Sequence, residues 1–369
     1  MRRTPPLILG AGPAGCAAAI ALARAGAAPI LLDRDAEVRD SLCGGFLSWR
    51  TTAGLAHLGV DLRALGAHGV RRLRLFSGSL EAELALPAPA FGLSRCALDT
   101  ALRERAVASG AHLEIDTGRS VKGHVVLGRK RKWSGNGLFL ATGKHDVRGL
   151  PRQRRSADPA LGLRLRLPPD ATRQRLLAGR IELHLFAGGY CGMVLQEDGS
   201  ANLCLAVRKS RLKGDPRGLV ARWAEQSDAF AARLASDWPD ADFDSIGAVP
   251  YGYLARRTDP GVFRLGDQAA VIPSLAGEGI AIALAGGTLA ADFWLRGGAA
   301  AAPAYQSQFA RYAAAPVKLA SLAWTVAERP LLARPGVALA GRVPALVRGL
   351  MTGTRLDLPA SLAPVRARP

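Results

Sequence analysis

Cysteine, histidine, aromatic side chains and negative charge are all scarce in this chain, and each scarcity excludes something. The five cysteines (16, 43, 96, 191, 204) are odd in number and show no C-x-x-C spacing, and the six histidines lie singly. Neither a disulfide framework nor a metal site is expected, and a reducing, cytoplasmic setting suits such a chain. The longest uncharged apolar runs are broken by Glu278, Asp292 or glycines before they reach the span a bilayer needs, so no transmembrane helix is read. The opening MRRTPPLILGAGPAG passes straight into glycines without a cleavable apolar region and is not read as a signal peptide. Internal repeats are also missing.

Acids number 30 against 49 Lys and Arg, a net charge of +19, and residues 119–180 alone hold sixteen basic residues against Asp146, Asp158 and Asp170. Nucleic acid, an anionic membrane or an acidic substrate would each account for that excess. So would solvated surface filled by arginine, which is the reading adopted: the basic residues flank strand-like segments and lack interleaved aromatics beyond Trp133. No nucleic-acid partner is expected, and RKRKW at 129–133 is read as a solvated hairpin turn.

At 369 residues, 49% of them hydrophobic, the chain is long enough for two domains and apolar enough for a sizeable core. Residues 5–34 read as strand, tight turn, helix, strand: Leu7–Leu9 apolar, Pro13–Ala25 helix formers, Gly26 a stop, Ile30–Leu32 apolar. Residues 70–86 alternate apolar and charged about Ser77-Gly78-Ser79, a hairpin pattern. A helix closed by Gly110 and then a strand follow, and GLFLATG at 137–143 reads as a buried strand entering a turn. From about 156, short alternating segments predict a half-exposed antiparallel sheet. Asp215-Pro216 predicts one capped helix through 217–235, and prolines 303, 316, 330, 335 and 344 predict several short helices beyond 301.

The expected fold is α/β: a discontinuous Rossmann-like domain, an α+β antiparallel-sheet domain and a helical C-terminus. Residues 1–70, 92–155 and 251–300 are assigned to the first, 71–91 and 156–250 to the second, and 301–369 to the third.

Gly10-Ala11-Gly12-Pro13-Ala14-Gly15 is G-x-G-x-x-G between a strand and a helix, with Asp33 at the end of the next strand. Gly10 permits the turn, Gly12 lets a pyrophosphate approach, and Gly15 lets helix pack on strand, while Asp33 accepts from ribose hydroxyls. Arg34 would suit a 2′-phosphate, which the acid before it disfavours. NAD and FAD both fit this motif. A second glycine-rich stretch, FRLGDQAAVIPSLAGEGIAIALAGG at 263–287, decides for FAD. Asp267 can accept from a ribitol hydroxyl, and Gly277-Glu278-Gly279 opens a helix whose N–H groups suit the anionic edge of reduced flavin.

This stretch, with Gly266, Asp267, Pro273, Gly277, Gly279 and Ile280, resembles the G-D-A-A-x-x-x-x-P-x-x-G-x-G-I motif of FAD-dependent oxidoreductases of the geranylgeranyl reductase and aromatic hydroxylase (para-hydroxybenzoate hydroxylase-like) superfamily. LSRCALDTALRERAVASGA resembles that family's R-x-x-x-D-x-x-L segment, which implies that Arg95 contacts FAD. CGGFLS resembles the reductases' C-G-G segment, placing Cys43 near the flavin. GGYCGMVLQEDGSANLCLAV at 188–207 is similar to the substrate-domain hairpin, implying that Tyr190 and Met193 face the substrate. The resemblance spans roughly residues 5–300. Met193 and Leu195-Gln196 stand where the family has Trp and Phe-Pro, and Thr142 stands where hydroxylases carry an acid.

The resemblance implies a flavoenzyme in which FAD performs the redox chemistry and no catalytic side chain can be named. NAD(P)H is the expected donor, not tightly bound, because no second dinucleotide motif occurs. Monooxygenation of a lipophilic aromatic or polyketide-like small molecule is expected, since the altered hairpin suggests a cavity less committed to a long isoprenoid. Reduction of a carbon–carbon double bond in an isoprenoid-like substrate is the alternative, favoured by Cys43-Gly44-Gly45. A non-catalytic basic protein that has kept a nucleotide fold is the reading from another class. The basic, Leu-rich segment after 301 adds peripheral contact with an anionic membrane as an expectation. Oligomeric state is unknown at this stage.

Overall fold

The computed structural model describes residues 4–152 and 156–356. Arg154, Arg155, Arg366 and Arg368, counted above among the basic residues, lie outside the described residues, as does Asp357.

Five short strands, β1 (Leu7–Leu9), β2 (Ile30–Asp33), β6 (His112–Ile115), β10 (Leu138–Leu140) and β16 (Val262–Arg264), form a parallel sheet in the order β16-β10-β1-β2-β6. Their near-continuous apolar content follows from burial on both faces, as parallel sheets require. Eight strands form the second sheet, in the order β15-β11-β14-β13-β12-β4-β5-β3. They are β3 (Phe46–Leu47), β4 (His68–Ser77), β5 (Leu80–Gly92), β11 (Ala160–Leu167), β12 (Arg180–Phe186), β13 (Gly189–Leu195), β14 (Ala201–Arg208) and β15 (Phe243–Val249). All its pairings are antiparallel except β12 with β4. This sheet takes Phe46–Leu47, His68–Val70 and Gly92 from the stretches assigned to the nucleotide domain.

A small sheet of β7 (Gly118–Lys122), β8 (Val125–Gly128) and β9 (Lys132–Trp133) carries the basic turn 129–131. Asp116 anchors that turn: it accepts from the backbone N–H groups of Arg129 and Lys130 at 2.9 and 3.0 Å and from Trp133 Nε1 at 2.8 Å. Those donors hold its carboxyl down at about 2.

Helices α1 (Pro13–Arg24), α2 (Trp49–Leu58), α3 (Arg95–Ala108) and α8 (Gly279–Gly297) accompany the parallel sheet. Helices α4 (Ala171–Leu177), α5 (Lys209–Leu212), α6 (Pro216–Gln226) and α7 (Asp228–Leu234) accompany the large one. The helix expected through 217–235 is therefore two. Ser227 breaks it with an extended backbone and caps α7 by accepting from Phe230 N–H.

The C-terminal stretch departs further from expectation. Helix α9 (Ala302–Ala327) runs 26 residues straight through Pro316, and α10 (Pro330–Arg342) contains Pro335. An interior proline costs a helix about 3 kcal/mol. In α9 the buried stripe Tyr305, Phe309, Ala313, Val317 and Ala320, packed into the main core, with Trp324 beside Tyr190, outweighs that cost. Helix α11 (Pro344–Gly353) is the last helix among the described residues.

The large sheet has two dissimilar faces. Behind it, Leu163, Leu165, Met193, Leu203, Trp223 and Phe230 form a core with α4, α6 and α7. Also behind it, the fully buried Glu182 accepts two hydrogen bonds from Arg233, at 2.8 and 2.9 Å, and contacts His184 Nε2 at 3.2 Å. Burial pushes the His184 imidazole below its ordinary pKa, and its ring stacks on Phe76. The front face looks onto a cavity.

Candidate active site

Gly10 follows β1 with φ +107°, and a Cβ there would overlap the Ala141 carbonyl oxygen, so only glycine permits this turn. The chain then folds back to Asp33, whose carboxylate accepts from Ala11 N–H at 2.6 Å and from Asp35 N–H at 3.0 Å. Asp33 thus fixes the loop while still bordering the cavity. Helix α1 starts at Gly12 without a side-chain cap, and the nearest atom to a Cβ at Gly12 is Arg95 Nη2, 3.8 Å away.

Helix α8 also starts uncapped, at Glu278, and nothing lies within 4 Å of a Cβ at Gly279. The two helices pack so closely at Gly287 that a Cβ there would overlap the Ala14 carbonyl. Two uncapped helix starts therefore open side by side onto one cavity. Each offers unpaired N–H groups and a positive dipole end, one suited to a pyrophosphate and the other to an electron-rich ring edge. The residues present fit FAD.

The cavity has a volume of about 1060 Å³ and brings together most of the predicted residues. Gly10, Gly12, Pro13, Ala14, Asp33, Arg34, Cys43, Arg95, Gly266, Asp267, Gly277, Glu278, Gly279, Ile280 and Tyr190 all line it. Three do not. A Cβ on Gly15 would overlap the Gly10 carbonyl, so Gly15 acts in helix packing. Pro273 is buried behind the wall, before the turn Ser274–Ala276. Met193 corrects the sequence reading outright: it is three residues from Tyr190 on the same strand, and alternation points it into the core behind the sheet.

Arg95 reaches Asp99 one helical turn on with two bonds, 2.9 and 2.6 Å, and the Cys43 thiol lies beside its guanidinium. The Asp99 carboxylate holds the Arg95 pKa above its ordinary value. The C-G-G and R-x-x-x-D segments thus meet at one place. Tyr190 Oη and Tyr251 Oη both bond Ser274 Oγ, the first at 2.7 Å. Burial raises both phenols, so they remain protonated.

Glu278 is fully buried and bonds the Arg355 guanidinium, which itself lies over the Trp49 ring at 4.3 Å. Burial pushes the Glu278 carboxyl up to about 7 even with that cation beside it. Its other oxygen, Oε2, is buried without a hydrogen-bond partner.

Several site residues escaped the sequence reading. Arg103 contacts Asp33 at 3.4 Å and donates to the carbonyls of Asp35 and Ala36. Its spacing from Arg95 and Asp99, four and four on one helix, was the available signal. Arg152 joins Asp146 to the Asp267 carbonyl, and Asn202 donates to the Cys43 carbonyl at 3.0 Å. Arg355 and Tyr251 carry no local signal.

At the far end the character changes. Leu73 and Leu75 of β4, Leu86 of β5, and Ile181, Leu183 and Leu185 of β12 line the sheet side. Val326, Val337, Val347 and Met351 of α9–α11 line the opposite side.

Residues 3–126 match the FAD binding domain family. The menaquinone reductase of Mycolicibacterium smegmatis is 28% identical over 324 residues, covering 80% of this chain and 77% of its own. Digeranylgeranylglycerophospholipid reductase 2 of Methanopyrus kandleri is 24% identical over 312 residues, covering 78% and 75%. Among solved structures, the flavin-dependent brominase Bmp2 superposes with a TM-score of 0.75 at 16% identity, over 96% of this chain and 94% of that one. P. aeruginosa PqsL in complex with 2-aminobenzoylacetate superposes with a TM-score of 0.69 at 18% identity, over 91% and 99%. The likeness to these two structures is one of fold.

Fold and matched domain together define an FAD-dependent oxidoreductase. Within that class, the chain is similar along about four fifths of its length to the two reductases.

Proposed function

We propose that this enzyme reduces a carbon–carbon double bond in a long isoprenoid-like chain, of the kind the two reductase relatives are named for. The observation that carries the reading is the apolar far end of the cavity, walled by leucine, isoleucine and valine from the sheet and from α9–α11. Such a wall binds by area and shape, which suits a flexible hydrocarbon. The expectation of a cavity less committed to a long isoprenoid rested on the altered hairpin, and Met193 and Leu195 pack behind the sheet instead. Oxygen insertion remains the competing reading, because the fold is shared with a monooxygenase.

FAD, once reduced by an external NAD(P)H, would supply the redox electrons. The chain's own residues then have four tasks. The first turn of α1 would take the pyrophosphate, Asp33 the ribose and Asp267 the ribitol. The N–H groups of Gly279 and Ile280 would face the flavin ring edge. Saturating a double bond also requires a proton, and the Tyr190–Ser274–Tyr251 hydroxyl chain holds one at Tyr190 Oη inside the cavity. The apolar wall keeps water from the reacting carbons.

Anaerobic turnover with dithionite-reduced enzyme and a polyprenyl quinone tests the reading. A product whose ring has been reoxidised to the quinone and whose side chain is still heavier by two hydrogens, formed equally well without air, supports it. Incorporation of one labelled oxygen under labelled dioxygen would establish the competing reading.

A further inference from the structure

Among the described residues, ten large aliphatic side chains are exposed, and seven of them fall between 322 and 350: Leu322, Leu331, Leu332, Leu339, Val343, Leu346 and Leu350. Leu331 is 90% exposed. A globular protein leaves single leucines outside at random, but a cluster this dense marks a contact surface. The same stretch is one-sided in charge. Residues 329–356 contain five arginines and no acid. Four of these, Arg329, Arg334, Arg342 and Arg348, are exposed and have no ion-pair partner among the described residues.

Helix geometry separates the two faces of this surface. On α10, Ala333, Val337 and Ala340 point inward, the last two clustering with Ala82 of β5, while Leu331, Arg334, Leu339 and Arg342 point out. On α11, Val347 and Met351 line the cavity, while Leu346 and Arg348 face outward. Leu322 and Leu350 belong to both descriptions, being exposed and also lining the cavity. They mark where the cavity's apolar wall becomes the outer apolar surface.

We propose that α10 and α11 form a docking face for an anionic phospholipid bilayer, seating the cavity mouth at the hydrocarbon boundary. Charge complementarity selects this occupant: arginines can bury their stems beside the leucines while their guanidinium groups reach lipid phosphates. No helix among the described residues is long and apolar enough to cross a membrane, so the contact is peripheral. A hydrocarbon chain then passes from bilayer to cavity along Leu322 and Leu350 without crossing water. The docking face rests on the reductase reading only for what enters the cavity.

Flotation of the full-length, FAD-loaded protein with vesicles of phosphatidylglycerol and phosphatidylcholine tests it. The wild type floats with these vesicles, less so as salt rises, and not with phosphatidylcholine alone in high salt. Each arginine near an anionic surface contributes roughly fivefold in partitioning, so Arg334→Glu/Arg342→Glu/Arg348→Glu lowers the partition coefficient by about a hundredfold or more. Leu331→Gln/Leu346→Gln weakens what survives at high salt. Flavin absorbance and melting temperature, both unchanged in these surface variants, show that they are folded.

A wild type that stays with the pellet, or variants that float like the wild type, would overturn the proposal. So would light scattering showing a dimer that Leu331→Gln/Leu346→Gln splits, because the face would then belong to a second copy. Turnover of a detergent-dispersed polyprenyl quinone separates the two readings. Its absence in the wild type counts against the reductase, while flotation alone decides the docking face.

Discussion

The two ends of the cavity are built from different materials. At the nucleotide end the surface is mostly backbone, held open by glycines and bordered by two helix starts, with Asp33 and Arg95 fixed by their own hydrogen bonds. At the far end the surface is side chain, drawn from β4, β5, β12 and three late helices. Backbone surfaces depend on a few positions that admit one residue type. Side-chain surfaces depend on many positions that each admit several. A change at the first end should therefore be all or nothing, and a change at the second should be graded.

The largest effects lie in the first glycine motif, where neighbouring positions should fail differently. Gly15→Val places side-chain atoms on the Gly10 carbonyl and yields no folded protein. Gly12→Val meets only Arg95 at 3.8 Å, so the protein should fold with a near-normal circular dichroism melt yet purify colourless. Full flavin content in Gly12→Val would refute the placement of the pyrophosphate.

Next in size is the Glu278–Arg355 pair, which ties the flavin-side helix to the chain's late segment. Burial raises the Glu278 carboxyl from 4.5 to about 7, so the native state holds a proton that the unfolded chain releases first. The stability linked to this group is full below about 4.5 and lost as pH rises through 7. Urea melts at pH 5, 6, 7 and 8 should show that slope, and Glu278→Gln should flatten it. Arg355→Met leaves the buried acid without its cation. It should cost about 3–5 kcal/mol at pH 8, less at pH 5, where Glu278 is already protonated. A loss independent of pH would show that Arg355 matters only for packing.

A graded effect is expected at the far end. Leu75→Asn puts an amide on the apolar wall and should raise KM for a polyprenyl substrate by about tenfold, the worth of one partly buried leucine, with flavin content unchanged. Smallest of all, Tyr190→Phe removes the hydrogen bond to Ser274 Oγ at 2.7 Å. Because the Ser274 and Tyr251 hydroxyls still line the cavity and can pass on a proton, the expected loss in kcat is only about 0.5–1.5 kcal/mol, with KM and flavin binding unaffected. An unchanged kcat would remove Tyr190 from proton delivery.

The same contrast explains what could be read from the chain. Gly10, Gly12 and Asp33 were legible because a tight turn and an open helix start admit few residues, and local sequence carries the whole constraint. Cys43 and Arg95 were legible through resemblance, and only the structure brings the thiol and guanidinium together. Met193 was misplaced although strand parity would have put it opposite Tyr190. Pro316 was read as a helix end because local propensity cannot see the tertiary core packed along α9. The bond from Arg355 to Glu278 spans 77 residues, and no pattern in either segment announces it.

The far wall also has a place in time. The residues proposed to hold FAD end at Ile280, whereas those closing the cavity run from Leu322 to Arg355. At roughly 5–20 residues per second of synthesis, the nucleotide surface emerges from the ribosome a few seconds before its cover. During that interval the residues of α9–α11 that line one side of the cavity are not yet in place, which would leave that side open to a large cofactor. Loading can thus precede sealing. A chain stalled before Leu322 should take up flavin faster, and release it faster, than the finished protein.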